Sequence, residues 1–226
     1  MGKNSNLHNA KRAKNDEFYT QLSDIEKECR HYKDHFRNKV VLCNCNDALH
    51  TGFATYFSLN FEILGLKELI CTSFSMEDGG HGKVYRYHGD ANGNGVPDIE
   101  EWEQKEMVGN GGFNTDEGID LIKEADVIVT NPPFSLFREF IAILMEHNKK
   151  FLILGNMNAV TYKEVFPLIK DNKIWLGVRP ATGGMWFVID DETSCGVKKV
   201  VNNKLLGNTK SIWFTNLDHT KRHEQS

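Results

Sequence analysis

The chain has 226 residues, of which 40% are hydrophobic, 11% aromatic and 26% charged, a composition that builds a real core and argues against wholesale disorder or a fibrous repeat. Its 27 basic and 31 acidic residues leave a net charge of −4, so a polyanion would have to be met by a local basic face. No run approaches the ~18 apolar residues of a membrane span, and five scattered cysteines, an odd number, fit reduced thiols in the cytoplasm better than a disulfide framework.

Residues 1–15 read as a basic arm carrying Lys3, Lys11, Arg12 and Lys14, with no apolar stretch of signal-peptide length. Residues 16–226 then read as one domain. Ser23-x-x-Glu26 resembles a capping box, and Leu22, Ile25, Cys29, Tyr32 and Phe36 recur at helical steps. Val40–Cys43 is a short continuous apolar run, as in a strand buried on both faces. Phe53, Phe57, Phe61 and Leu64 repeat at helical spacing up to Gly65, and Leu69–Cys71 reads as the next strand.

The segment 79–112 interrupts this alternation with Gly, Asn, Asp and Tyr. It reads as an inserted loop with at most one short helix, Ile99–Met107. Within it Asp90, Asn92, Asn94, Asp98 and Glu101, with Gly95, fit the oxygen and glycine spacing of a calcium loop. Tyr85–His88 before it looks more like strand than helix, so the alternative is a Gly-Asn turn ahead of a short acidic helix. Cys43-x-Cys45 has no second pair to complete a metal site and reads as buried strand-end thiols.

Thr115–Ala125 has the marks of a capped helix, and Asp126–Thr130 of a buried strand running into Asn131-Pro132-Pro133-Phe134. Ser135 is placed to cap a helix with Phe137, Phe140, Ile141 and Leu144 inward. Phe151–Leu154 follows as a strand, then a helix opened by Thr161-x-x-Glu164. Strand and helix alternate, which gives parallel strands and a ligand site at their carboxyl ends. Beyond Ile174 come short strand-like runs, Ile174–Val178, Met185–Ile189 and Ser211–Thr215, expected as antiparallel edge strands.

Asn131–Phe134 carries the most specific chemistry. The Asn131 amide oxygen and the Pro132 carbonyl are two acceptors that could hold the protons of an exocyclic amine and aim its lone pair, with Pro133 fixing the turn. Phe134 suits a flat heterocycle, since stacking stabilises an unstacked base by about 1 to 3 kcal/mol. The alternative is a proline-terminated strand with Phe134 in the core.

Asp126-Val-Ile-Val-Thr-Asn-Pro-Pro-Phe-Ser-Leu-Phe-Arg-Glu-Phe140 resembles the catalytic region of adenine-specific DNA methyltransferases of the EcoRI type. Asp16–Thr20, Leu42–Asp47, Asn60–Lys67, Lys173–Gly177 and Trp213–His219 resemble the same family in the same order. The likeness extends from Asp16 to Glu224. It implies an α/β fold, a doubly wound, Rossmann-like sheet with antiparallel strands near the C-terminus, and transfer of a methyl group from S-adenosylmethionine (AdoMet) to N6 of an adenine flipped out of double-stranded DNA. No metal is implied. By position, Phe18, Tyr19 and Thr20 and the turn Cys43, Asn44, Asn46 and Asp47 resemble the methionine-binding wall, although no Gly-x-Gly marks that turn; the alternative for the turn is a polar loop.

The family resemblance carries two departures. Relatives have Asp where this chain has Gly112, which implies weakened AdoMet binding. They also continue past the Trp213–His219 stretch into a segment expected to help recognise DNA, whereas this chain stops at Ser226. The expectations are therefore an active enzyme of a restriction-modification or phage-borne system, with a separate C-terminal segment or a cognate endonuclease as candidate partner, or else an impaired remnant acting as a binding module. Methylation of RNA or of a protein amide is a third reading. The N-terminal arm and Lys198-Lys199 are candidates for phosphate contact.

Overall fold

The computed structural model describes residues 22–46, 48–179, 185–188, 197–201, 204–209 and 211–224. Helix α1 (22–29) passes through a 3-10 turn, Arg30–Tyr32, into α2 (Lys33–Phe36). Ile25, Cys29, Tyr32 and Phe36 are buried, as their spacing on one helical face requires. Residue 22 is already helical, so Ser23 and Glu26 lie inside the helix and the expected box does not start it. β1 (Val40–Asn46), α3 (Gly52–Leu59), α4 (Phe61–Leu64) and β2 (Glu68–Ser73) follow. Thr51 caps α3 and left-handed Gly65 ends α4.

β3 (Lys83–Tyr87) and β4 (Trp102–Glu106) come next, then α5 (Asp116–Glu124), β5 (Val127–Thr130), α6 (Phe137–Glu146), β6 (Lys150–Asn156), α7 (Phe166–Lys170) and β7 (Trp175–Leu176). β8 (Met185–Val188), β9 (Val197–Val201), β10 (Lys204–Thr209) and β11 (Ser211–Thr215) complete the described strands. Eight of them form one sheet in the order β4-β3-β2-β1-β5-β6-β11-β7, and β8-β10-β9 form a second, smaller sheet. The central strands β2, β1, β5 and β6 are parallel. β3 and β4 add antiparallel on one side, β11 and β7 on the other.

Alternate residues of the central strands divide between two cores. Val41, Cys43, Leu69, Cys71, Val127, Val129, Leu152, Leu154 and Trp213 face a layer built from α1 to α4. Leu42, Ile70, Ile128, Ile153, Ile212 and Phe214 face a layer built from α5, α6 and the segment up to α7. Both faces being covered is why these strands read as continuous apolar runs and not as alternating ones. Edge-to-face ring pairs such as Phe36–Phe57 (5.1 Å) and Phe113–Phe140 (4.9 Å) add about 0.5 to 1.5 kcal/mol each beyond area burial. The fold is thus the α/β arrangement expected, with helices on both sides of a largely parallel sheet.

Several local expectations are corrected. Ile99–Met107 is not a helix: a single 3-10 turn, Ile99–Glu101, leads into β4, which pairs with β3 from Trp102↔Tyr87 to Glu106↔Lys83. Cross-strand pairing overrides the helix preference of the Glu, Gln and Lys residues there. Ser135 does not cap α6 but sits inside a 3-10 turn, Phe134–Leu136, that Pro133 introduces. Thr161 opens no helix; its hydroxyl donates to the Asn158 carbonyl at 2.8 Å, and α7 begins five residues later. β11 is an antiparallel strand but not an edge, because β7 pairs outside it, and β8 belongs to the small sheet.

Candidate active site

Chain order and sheet order diverge at β1. From it the sheet steps to β2 on one side and to β5 on the other, which makes the carboxyl ends of β1 and β5 the topological switch point, where open α/β sheets hold ligands. The register sets Val41 opposite Val127 and Leu42 opposite Ile128, so the ends of both strands, Asn44–Asn46 and Asn131–Phe134, emerge side by side. The Thr130 hydroxyl bonds the Asn44 carbonyl and ties the two ends together.

At the end of β1 the backbone is irregular. Its pairing with β2 shifts between Cys43 and Asn46, and Cys45 has φ 67°, in the left-handed region where a non-glycine residue is strained by about 1 to 3 kcal/mol. Cys45 therefore makes the sharp turn that a glycine-rich sequence would make. Cys43 and Asn44 are buried, and burial pushes the Cys43 and Cys45 thiols up, which keeps them protonated and unreactive. Asn46 is the last residue of β1. Asp47 and Phe18, Tyr19 and Thr20 lie outside the described residues.

At the end of β5, Pro132 is buried, Pro133 is exposed, and Asn131 and Phe134 are half-buried. The Asn131 side-chain oxygen is itself buried and accepts no hydrogen bond among the described residues. Nor does the Pro132 carbonyl among the described residues. A buried amide oxygen without a donor costs about 1 to 3 kcal/mol, a cost that N–H donors of a bound molecule would offset. Phe137, three residues beyond Phe134, roots the following helix by packing its ring against Gly155. A Cβ on Gly155 would come within 2.5 Å of that ring, so only glycine admits it. Arg138 lies 4.2 Å over the Tyr162 ring and 3.6 Å from Glu164, bracing the loop after β5 against the loop after β6.

A third wall stands beyond β2. Phe74–Gly80 and Val108–Asn110, with His81 and Thr115, surround a cavity of about 830 Å³. The Ser75 amide donates to the Asn110 carbonyl at 2.9 Å, and Gly111, at φ 85°, passes so near Ser73 that a Cβ would lie 2.2 Å from its carbonyl oxygen. Glu117 receives the Val108 and Gly109 amides at 3.1 and 2.9 Å, and these bonds hold its carboxyl below the usual range. Gly112 is half-buried in the same turn. Sequence reading touched this wall only at Gly112; its other half, Phe74–Gly80, gave no signal because the wall joins segments about thirty residues apart.

The five calcium-loop residues are elsewhere, in the connection from β3 to β4, flanked by strands and not by helices. Asp90 accepts from the amides of Gly93, Asn94 and Gly95 at 2.6 to 3.2 Å. Asp98 accepts from the side-chain amides of Asn92 and Asn94, and Glu101 from the amides of Ala91, Asn92 and Asp98. Among the described residues no group of three or more His, Cys, Asp or Glu side chains is arranged to hold a metal ion, and no helix is long and apolar enough to cross a membrane.

The family model described as adenine-specific methyltransferase EcoRI matches residues 6–226. The chain is 43% identical over 233 residues to the type II methyltransferase M.EcoRI of Escherichia coli, an alignment that covers 98% of this chain and 71% of that protein. It is 38% identical to type II methyltransferase M.MpnI of Mycoplasma pneumoniae, covering 97% of this chain and 66% of the relative. Type II methyltransferase M.MgeORF184P of Mycoplasma genitalium is also 38% identical, over 93% of this chain and 64% of its own length. No solved structure matches. The chain thus spans roughly two thirds of the length of these relatives, and with a family model matched along nearly all of it, it belongs to the adenine-specific EcoRI methyltransferase family.

Proposed function

We propose that the chain transfers the methyl group of AdoMet to N6 of an adenine flipped out of duplex DNA. The observation that carries this reading is the buried, unpartnered Asn131 oxygen beside the open Pro132 carbonyl at the switch point. An exocyclic amine offers two N–H donors, and two acceptors so placed would hold both and direct the nitrogen lone pair away from them. Phe134, half-buried next to them, would stack on the base.

A second set of residues would hold the cofactor. Bound AdoMet would supply a sulfonium-activated methyl group. The turn Cys43–Asp47, with Phe18, Tyr19 and Thr20, would form the wall for its methionine part. The cavity beyond β2, with Phe74 and Met76 beside Glu77 and Asp78, would take its nucleoside, apolar surface meeting the base and carboxylates meeting ribose hydroxyls. The reaction needs little acid-base help; the protein's part is to position the amine and exclude water. A cognate endonuclease or a separate recognition segment would be the protein partner in a restriction-modification setting.

The reading is tested by methyl transfer from labelled AdoMet to adenine-containing duplex. Asn131→Ala should slow transfer by about 100- to 1000-fold while leaving AdoMet binding intact; transfer at the wild-type rate would refute the role of Asn131.

A further inference from the structure

The cavity beyond β2 is rich in polar side chains, and its own walls use most of them. The Ser75 hydroxyl accepts from the Glu77 amide at 3.3 Å, and the Asn110 side-chain oxygen from the Gly112 amide at 3.0 Å. The Thr115 hydroxyl donates to the Gly112 carbonyl at 2.8 Å and accepts from the Gly118 amide at 3.1 Å. Gly112 brings no side chain to the turn. Among the described residues, the lining side-chain oxygen and nitrogen acceptors without a partner are the Glu77 and Asp78 carboxylates and one nitrogen of His81.

His81 is held in one tautomer. Its Nδ1 lies 2.9 Å from both the Met107 and the Val108 carbonyl oxygens. Only a proton can meet two oxygens there, so Nδ1 carries the hydrogen and the neutral ring keeps its lone pair on Nε2. The two carbonyls are fixed in turn. The Met107 amide donates to the Gly82 carbonyl and the Gly82 amide to the Gly109 carbonyl, both at 2.9 Å, while Glu117 takes the amides of Val108 and Gly109. The two nitrogens sit on opposite sides of an imidazole, so binding Nδ1 to the wall turns Nε2 away from it. His81 is exposed on the cavity wall, and its Nε2 meets no donor among the described residues.

We propose that His81 selects the base of the cofactor, its Nε2 accepting a hydrogen bond from the 6-amino group of the adenine in AdoMet. This rests on the reading that the cavity beyond β2 takes the AdoMet nucleoside, and it names the residue that tells one purine from another. An amino purine offers an N–H to the lone pair. A 6-oxo purine sets a carbonyl oxygen against it, so one hydrogen bond is lost and two acceptors face each other. The Glu77 and Asp78 carboxylates are then left for the ribose hydroxyls.

The test is calorimetric titration of the full chain with S-adenosylhomocysteine and with S-inosylhomocysteine, which carry a 6-amino and a 6-oxo purine on the same frame. The wild-type chain should bind the adenosine compound roughly 10-fold or more tightly than the inosine compound. His81→Asn keeps an amide N–H where Nδ1 was and removes Nε2, so the ratio should fall to about 2 or less. His81→Gln reaches the place of Nε2 with an amide oxygen and should restore a preference for the amino purine. A histidine that only braced the wall would, once replaced, weaken both compounds by the same factor and leave the ratio unchanged. That result, or a wild-type chain that binds the two compounds equally, overturns the role of His81 and leaves the AdoMet reading in place. A wild-type chain that binds neither compound overturns the reading of the cavity and the role of His81 together.

Discussion

The rim at the ends of β1 and β5 and the loop from Asp90 to Glu101 are both rich in Asn and carry side-chain oxygens at close spacing. They differ in what those oxygens do. In the loop, Asp90, Asp98 and Glu101 all accept from the loop's own backbone and side-chain amides, so the segment is closed on itself. At the rim, the Asn131 oxygen and the Pro132 carbonyl have no donor among the described residues, and Cys45 holds a strained backbone conformation. Polar residues that satisfy one another stabilise a turn. Polar residues left open at a strand end, where the fold tolerates the cost, are the ones arranged for a ligand.

The largest expected effect that would break this contrast lies at Asn131. Asn131→Ala should slow methyl transfer by about 100- to 1000-fold, the usual loss for one oriented polar group acting on the reacting centre. Because its oxygen has no partner to lose, thermal unfolding of the same variant should show no drop in midpoint. A midpoint lowered by several degrees would mean that the side chain is structural. Gly111→Ala should come next. It forces a Cβ into the left-handed region and against the Ser73 carbonyl, lowering stability by about 2 to 3 kcal/mol in chemical denaturation and weakening AdoMet binding.

A smaller effect sharpens the other half. Asp90→Ala removes an acceptor for three exposed amides and should lower stability by about 1 kcal/mol, with methyl transfer unchanged. Adding calcium or a chelator should leave the wild-type midpoint where it is. A calcium-dependent rise, lost in Asp90→Ala, would mean that the loop shares its oxygens with an ion.

The smallest effect concerns Arg86, which bridges β2 and α5 through Glu68 and Glu124, forking onto the Glu124 carboxylate at 2.7 and 2.8 Å. The hydrogen bonds from Arg86 hold the Glu124 carboxyl below its ordinary value. A carboxyl lowered in the folded state stabilises above its unfolded pKa, about 4.3, and that contribution is lost as pH falls through the folded value. Glu124→Gln should therefore be less stable than wild type by about 1 kcal/mol or less at pH 7, since the pair is partly exposed. The difference should shrink as pH falls below about 4.3 and vanish once the folded carboxyl is protonated; a difference that does not shrink with pH would exclude the ion pair as its source.

The central strands were legible because burial on both faces leaves an unmistakable signal, as Val40–Cys43, Asp126–Thr130 and Phe151–Leu154 show. β4 was not, because Trp102–Glu106 has the composition of a helix and becomes a strand only by pairing with β3. β9 and β10 escaped for a related reason: Lys198, Lys199, Asn208 and Gly207 break the apolar runs that mark a buried strand. At the site, Asn131–Phe134 stood out because a proline doublet after a buried strand is a local event. The turn at Cys45 did not, since its left-handed backbone comes from the irregular pairing of β1 with β2 and from no glycine. The pocket beyond β2 depends on contacts between distant segments, which no local pattern encodes.

The central claim, that the rim is open because it receives a cofactor and an amine, is tested most directly by calorimetric titration of AdoMet into the purified chain and into Asn131→Ala. Saturable one-to-one binding to both, despite glycine at position 112, is the result the open rim predicts. No detectable binding of AdoMet to the wild-type chain would contradict it.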